Sequence, residues 1–167
     1  MLEGLIEKII FASRWLLAPL YLGLALALIP ILFRFFDAFW HMMTHISSST
    51  SAEVTLEILE LLDTVLLANL IIIILFAGYE NFVSKLSIGD HEDRPAWMGK
   101  VGFADLKMKL IGAIVAISAV ELLKAFLVST SLTSEQILMK VVIHLTFVIS
   151  GLLFAASDWI SDSRKSL

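Results

Sequence analysis

Polar and titratable side chains inside long apolar segments are the part of this sequence that could do chemistry. Carboxylate, ammonium and imidazole groups can bind an ion or pass a proton, and their protonation equilibria shift strongly in a medium of low dielectric. An ionisable group at mid-membrane costs several kcal/mol and usually faces a partner or a water-filled path. The candidates for a polar cavity or an ion or proton path are Asp63, Asn69, Glu121, Lys124 and His144, with Arg34 as a counter-ion.

Two interpretations of these charges stay open at this point. In the structural one they form an ion-paired network that neutralises charge and fixes helix register. Glu121 and Lys124, three residues apart, could pair with each other on one helix. In the functional one they line a polar vestibule that opens outward and holds ion or proton sites.

A second pattern places Asp37, His41 and His45 four residues apart. If the first apolar segment continues as a helix past Phe36, all three lie on one face. Two histidines at this spacing with a carboxylate can bind a transition metal. A solvated rim is the favoured interpretation, and we predict no metal or cofactor.

Motifs for catalysis are absent. The sequence has no Gly-x-Ser-x-Gly elbow, phosphate loop, His-Glu-x-x-His motif or cysteine, and Ser118 has no evident base partner. We therefore expect a protein that is not an enzyme. A net charge of −4 without a basic stripe excludes nucleic acid as the expected partner.

The composition shows which elements must position these groups. Hydrophobic residues make up 59% of the 167 residues and charged residues 17%, against about 45–50% and roughly a quarter in soluble domains. With a mean hydropathy of +0.91, the chain is predicted to be an integral membrane protein. Long apolar runs without alternation indicate helices. The predicted all-α fold is a single transmembrane domain, 1–167, with four transmembrane helices at about 15–35, 61–83, 108–128 and 137–157.

The basic residues predict the orientation. Nine of the twelve Lys and Arg lie in the two terminal segments and in the stretch 84–109, which contains the predicted loop 84–107. By the positive-inside rule, the N and C termini and this loop are cytoplasmic. The run Ser47–Ser51 is interpreted as a flexible outer loop. Residues 2–10 carry apolar side chains at helical spacing, which predicts a short amphipathic interfacial helix before the first span.

Small residues in the third and fourth spans predict helix packing between copies of the chain, because they allow helix backbones to approach closely. The predicted oligomer-packing residues are Gly112, Ala116, Ala119, Gly151 and Ala155. The predicted contacts with anionic lipid headgroups are Arg94, Lys100, Lys107 and Lys109. Expected partners are therefore membrane lipids, further copies in a homo-oligomer, and an unknown small solute or ion.

Several segments resemble one known family. Residues 89–99 read GDHEDRPAWMG and residues 103–107 read FADLK, while ASRW at 12–15, Pro19 and GYENF at 78–82 fit the same pattern. With these segments the chain resembles the YqhA-like family of uncharacterised small bacterial inner-membrane proteins. The resemblance implies a four-span protein of the bacterial inner membrane and supplies no catalytic residues.

The sequence thus leads to two functional hypotheses. The first is a multi-pass membrane protein that passes a small solute or ion through a polar cavity. One version of this hypothesis couples the passage to proton movement. The alternative is a non-transporting membrane scaffold or accessory subunit.

Overall fold

The regular structure of the chain is helical. The computed structural model describes residues 2–85, 103–128 and 132–165, and within these ranges it contains no strand. The α-helices are α1 (Leu2–Ser13), α2 (Ala18–His45), α3 (Ser51–Phe82), α4 (Phe103–Leu127) and α5 (Ser134–Lys165), with a 3-10 turn at Arg14–Leu17 between α1 and α2. The all-α prediction is confirmed.

Four of these segments are long and apolar enough to cross a membrane: Gly4–His45, Ser51–Phe82, Leu106–Leu127 and Ser134–Ser161. No more than 6% of the most apolar window of each is buried inside the chain. Their apolar surface is therefore covered by something other than this chain, and lipid is the covering that helices of this length and composition fit.

The connection between α2 and α3 is much shorter than the sequence predicts. The helices extend to His45 and from Ser51, where the predicted spans end at about 35 and begin at about 61. Ser48 and Ser49 donate their amides to the carbonyl oxygen of His45. The predicted flexible loop at Ser47–Ser51 is thus a tight turn followed directly by α3.

Side-chain caps fix where the helices after the two turns begin. Thr50 and Glu53 form a capping box at the start of α3, in which each side chain bonds the other residue's amide. Thr133 and Gln136 make the same reciprocal pair of bonds at the start of α5, over 2.9 and 3.3 Å. These bonds satisfy backbone donors that have no partner within the helix.

The four long helices form an open row rather than a closed bundle. Each packs antiparallel against the next in the chain, so that α2 contacts α3, α3 contacts α4, and α4 contacts α5. No other pair among them shares comparable packing in the part of the chain that the structure describes. We call the end of the row that carries the α2–α3 and α4–α5 connections the turn end; by the predicted orientation it faces outward.

The closest packing of α2 on α3 lies far from the turn end. The ring of Tyr21 lies over the backbone of Gly78, so a β-carbon at Gly78 would come within 2.7 Å of the Tyr21 Oη. The same ring makes an edge-to-face contact with Tyr79, with ring centroids 6.1 Å apart. A β-carbon at position 78 would therefore have to displace the Tyr21 ring.

The apolar side chains of helix α1, such as Ile9 and Ile10, are exposed. Among the described residues, the main contact of α1 is with the adjacent 3-10 turn. Its position in the membrane interface and the cytoplasmic location of the termini stay predictions.

Candidate polar site

A chain of ion pairs crosses three helices in the half of the row nearest the turn end. Lys124 of α4 pairs with Oδ2 of Asp63 on α3 and with Oε1 of Glu121, the latter at 2.5 Å. The other carboxylate oxygen of Glu121 lies 3.4 Å from Nζ of Lys140 on α5. The order Asp63–Lys124–Glu121–Lys140 alternates in sign. It contains two carboxylates and two ammonium groups, so this ion-pair network is neutral overall.

The two ends of this ion-pair network differ in the exposure of their side chains. The side chains of Asp63 and Lys124 are 20% and 23% exposed, whereas those of Glu121 and Lys140 are 46% and 39% exposed. Glu121 lies six residues before the end of α4, and Lys140 six residues after the start of α5. Both therefore lie about 9 Å inside the helix ends. At this depth the exposed charged groups of Glu121 and Lys140 need polar groups or water around them.

His144 lies next to this ion-pair network and is paired with Ser118, for which the sequence indicated no partner. Its Nδ1 is 2.9 Å from Oγ of Ser118 on α4, which corrects the expectation that Ser118 has no base nearby. The Ser118 hydroxyl donates to the carbonyl of Val115 at 2.9 Å. The hydroxyl oxygen is then left to accept from the imidazole N–H, an arrangement that does not activate the hydroxyl as a nucleophile.

Two acidic residues of the α3 segment nearest the turn end were not singled out from the sequence. Glu60 pairs with Arg34 at 3.8 Å, and Glu57 pairs with Nδ1 of His41 at 3.2 Å. Both glutamates lie before residue 61, where the predicted span began. The repeat Glu53, Glu57, Glu60, spaced by four and three, would have revealed a charged helix face next to α2.

Two grooves flank the contact between α3 and α4. The first lies between α2 and α3, has a volume of about 340 Å³ and is lined by Arg34 and Asp63. Asn69 lines a separate cavity of about 410 Å³, which shares Ile31 and Thr64 with the first. Helical spacing places the two on opposite sides of the α2–α3 contact, so Asn69 is not brought together with Asp63. One carboxylate oxygen of Asp63, Oδ1, is buried without a hydrogen-bond partner among the described residues.

The second groove lies between α4 and α5 and has a volume of about 320 Å³. Its polar members are Ser118, Glu121 and Lys140, and the rest of its lining is apolar, including Ile117 and Phe147. The single cavity predicted from the sequence is thus divided between two grooves, which the ion pairs of Lys124 connect.

The histidine pattern on α2 lies on a continuous helix, as its spacing required. The rings of His41 and His45 stack with centroids 4.3 Å apart. Nδ1 of His45 lies 3.0 Å from the His41 carbonyl oxygen, within hydrogen-bond distance. Asp37 does not complete a site with them: among the described residues, no three His, Cys, Asp or Glu side chains are grouped to hold a metal.

The predicted packing residues fall into two classes. Gly112 has no atom within 4 Å of where a β-carbon would stand, so its face is not used within the chain; Ala119 is also exposed and Ala116 is half-buried. At Gly151, by contrast, an added β-carbon would stand 3.0 Å from a methyl group of Ile111. This glycine therefore packs α5 on α4. Ala155 is exposed.

Of the predicted lipid-headgroup residues, Lys107 and Lys109 lie in the first turns of α4, with Nζ of Lys107 5.9 Å from the ring centre of Phe154. Arg94 and Lys100 lie outside the described residues.

These features define the class of the chain as a multi-pass membrane protein with four apolar helices. Residues 10–126 match an uncharacterized protein family, UPF0114, and the chain belongs to that family. The match confirms the resemblance to YqhA-like proteins, which are part of the same family. No solved structure matches the chain.

Proposed function

We propose that this protein passes a small solute or ion, with proton linkage, through the groove between α2 and α3. The groove is lined by Arg34 nearest the turn end, then by Asp63, and further from that end by Leu67. The observation that carries the proposal is the buried Oδ1 of Asp63, which has no partner among the described residues although Asp63 lines this groove. A buried carboxylate oxygen without a partner is costly unless water, a proton or a cation satisfies it.

Lys124 provides a physical route for coupling a proton to the groove. It is shared between Asp63 and Glu121, so it retains one anionic partner when the other carboxylate becomes protonated. Uptake of a proton or cation at Asp63 would then leave Lys124 held by Glu121. Neither state leaves an isolated ammonium group in the membrane, which would be the most costly arrangement.

We propose further that the working form is a homo-oligomer in the bacterial inner membrane. An open row of four helices cannot by itself close a path, because the grooves open at its surface. Additional copies would close the groove and shield it from lipid. The inner-membrane location rests on family resemblance and the distribution of basic residues, and we assign the protein no catalytic reaction.

The test is flux in liposomes that contain the purified protein and an internal pH-sensitive dye. Sodium, potassium and chloride are each supplied in turn as the permeant ion. We expect Asp63→Asn to lower ion-coupled proton movement at least about tenfold, since it removes the titratable group and keeps its size. Glu60→Gln is the matched control and should retain flux, because it alters an exposed pair with Arg34. Wild-type flux equal to that of empty liposomes would overturn the proposal.

The alternative function, a non-transporting scaffold or accessory subunit, is favoured by a different observation. The chain Asp63–Lys124–Glu121–Lys140 is neutral, and each member has an oppositely charged neighbour. Such a network can fix helix register without any ion passing. A stable, well-folded wild-type protein that gives no flux above empty liposomes with sodium, potassium or chloride would support this alternative.

A further inference from the structure

We propose that the groove between α4 and α5 binds a membrane phospholipid through a zwitterionic headgroup that carries a primary ammonium group. This goes beyond the proposed function, because it concerns the other groove and can be tested without any flux measurement. The ligand class is that of phosphatidylethanolamine, which combines one phosphate and one ammonium group.

The groove has the polarity of a lipid. Its charged members, Glu121 and Lys140, lie towards the turn end, about 9 Å inside the helix ends. Towards the middle of the row its lining is apolar, with Ile114, Ile117 and Phe147. A lipid whose headgroup lies at the turn end would place its acyl chains along these side chains, which is the direction that the leaflet itself imposes.

The charges at the polar end fit a ligand of both signs. Oε2 of Glu121 and Nζ of Lys140 are 3.4 Å apart, longer than the roughly 2.7–2.9 Å of a close charge-assisted hydrogen bond. Both side chains are more than a third exposed. An ammonium group can bind the carboxylate while the adjacent phosphate binds the lysine, so that both protein charges gain a partner.

The same geometry distinguishes among headgroups. A primary ammonium group has three N–H donors for Glu121, whereas the quaternary ammonium of phosphatidylcholine has none. Phosphatidylglycerol offers a phosphate to Lys140 and no cation to Glu121. We therefore expect a preference for the ethanolamine headgroup over both.

The experiment measures lipid binding to the purified full-length protein by native mass spectrometry. The probes are phosphatidylethanolamine, its mono- and dimethylated forms, phosphatidylcholine and phosphatidylglycerol, all with the same acyl chains. Affinity should fall with each added methyl, and phosphatidylcholine should bind about tenfold more weakly, the size expected for loss of hydrogen bonds to a charged group. This series uses wild-type protein, so it does not depend on whether a variant folds.

Two variants assign the preference to this groove. Glu121→Gln should remove the difference between the ethanolamine and choline lipids, and Lys140→Gln should weaken all of the lipids. Glu60→Gln, whose pair with Arg34 lies between α2 and α3, should change neither. Equal affinities across the methylation series, as a groove covered by a second copy would give, would overturn the proposal. So would a preference that persists in Glu121→Gln.

Discussion

Lys124 has the central position among the individual residues. It contacts Asp63 on the neighbouring helix and Glu121 one turn back on its own helix, and it is only 23% exposed. The sequence predicts an ion-paired network as one interpretation, and spacing identifies only the pair of Glu121 with Lys124 within it. The structure adds Asp63 and Lys140, so the consequence of removing one charge depends on what remains paired.

This network predicts an order of stability among variants. Lys124→Met should be the most destabilising single change, by about 1–3 kcal/mol, because it leaves Asp63 without an ionic partner. Asp63→Asn should cost less, since Lys124 still pairs with Glu121. The double variant Asp63→Asn/Lys124→Met should recover much of the loss, because the Glu121–Lys140 pair remains intact and neutral. Thermal unfolding in detergent measures all three, and strictly additive effects would show that Asp63 and Lys124 are not coupled.

At the scale of the helix, hydropathy predicted the existence of four spans but not their ends. Helices α2 and α3 contain 28 and 32 residues, or about 42 and 48 Å, and exceed a hydrocarbon core of about 30 Å. Their extensions near the turn end are polar, so an apolar window stops before them. The sequence does contain the missing signal: Thr50 followed three residues later by Glu53 is a capping box.

The polar residues were predicted in type and approximate depth, because charges inside apolar runs are visible in the sequence. Their partners were not. The pairings Asp63–Lys124 and Ser118–His144 join residues 61 and 26 positions apart. They depend on the orientation of each helix about its own axis and on which helices are neighbours in the fold. Neither property follows from periodicity alone.

Helix packing of α2 on α3 gives a prediction at this scale. Gly78→Ala should destabilise the protein by about 1–3 kcal/mol, because the new methyl would overlap the ring of Tyr21. Gly23→Ala is the matched control on α2, since no atom lies within 4 Å of its β-carbon position. It should be neutral or slightly stabilising, as alanine favours a helix over glycine. A Gly78→Ala protein as stable in thermal unfolding as Gly23→Ala would contradict the packing described.

At the scale of the whole molecule, the open row leaves apolar and small-residue surfaces without a partner from the same chain. The face formed by Gly112, Ala116 and Ala119 is the part of the predicted oligomer contact that the chain does not use internally. Gly151 packs within the chain instead. The structure therefore removes Gly151 from the predicted packing surface and leaves the α4 face and Ala155 of α5.

We expect Ala116→Leu to shift the protein towards smaller species, because added bulk prevents close approach of helices at this face. Light scattering coupled to size-exclusion chromatography in detergent measures the mass. Ala156→Leu, the same substitution at an exposed position of α5, should leave the mass unchanged. An Ala116→Leu protein with the wild-type mass and stability would show that this face is not a tight contact.

The central claim is that water enters the groove between α2 and α3 past Asp63 as far as Leu67, and cysteine accessibility tests it most directly. The chain contains no cysteine, so a single introduced thiol reports alone. Leu67→Cys in membrane-embedded protein should react with a hydrophilic, membrane-impermeant maleimide added on the side of the turn end. Leu26→Cys is the control, because Leu26 lies at a similar depth on α2, is 57% exposed and does not line this groove. Its thiol should stay unreactive. Equal lack of reaction at both positions would contradict the account, because the groove would then be dry and its charges only a structural network.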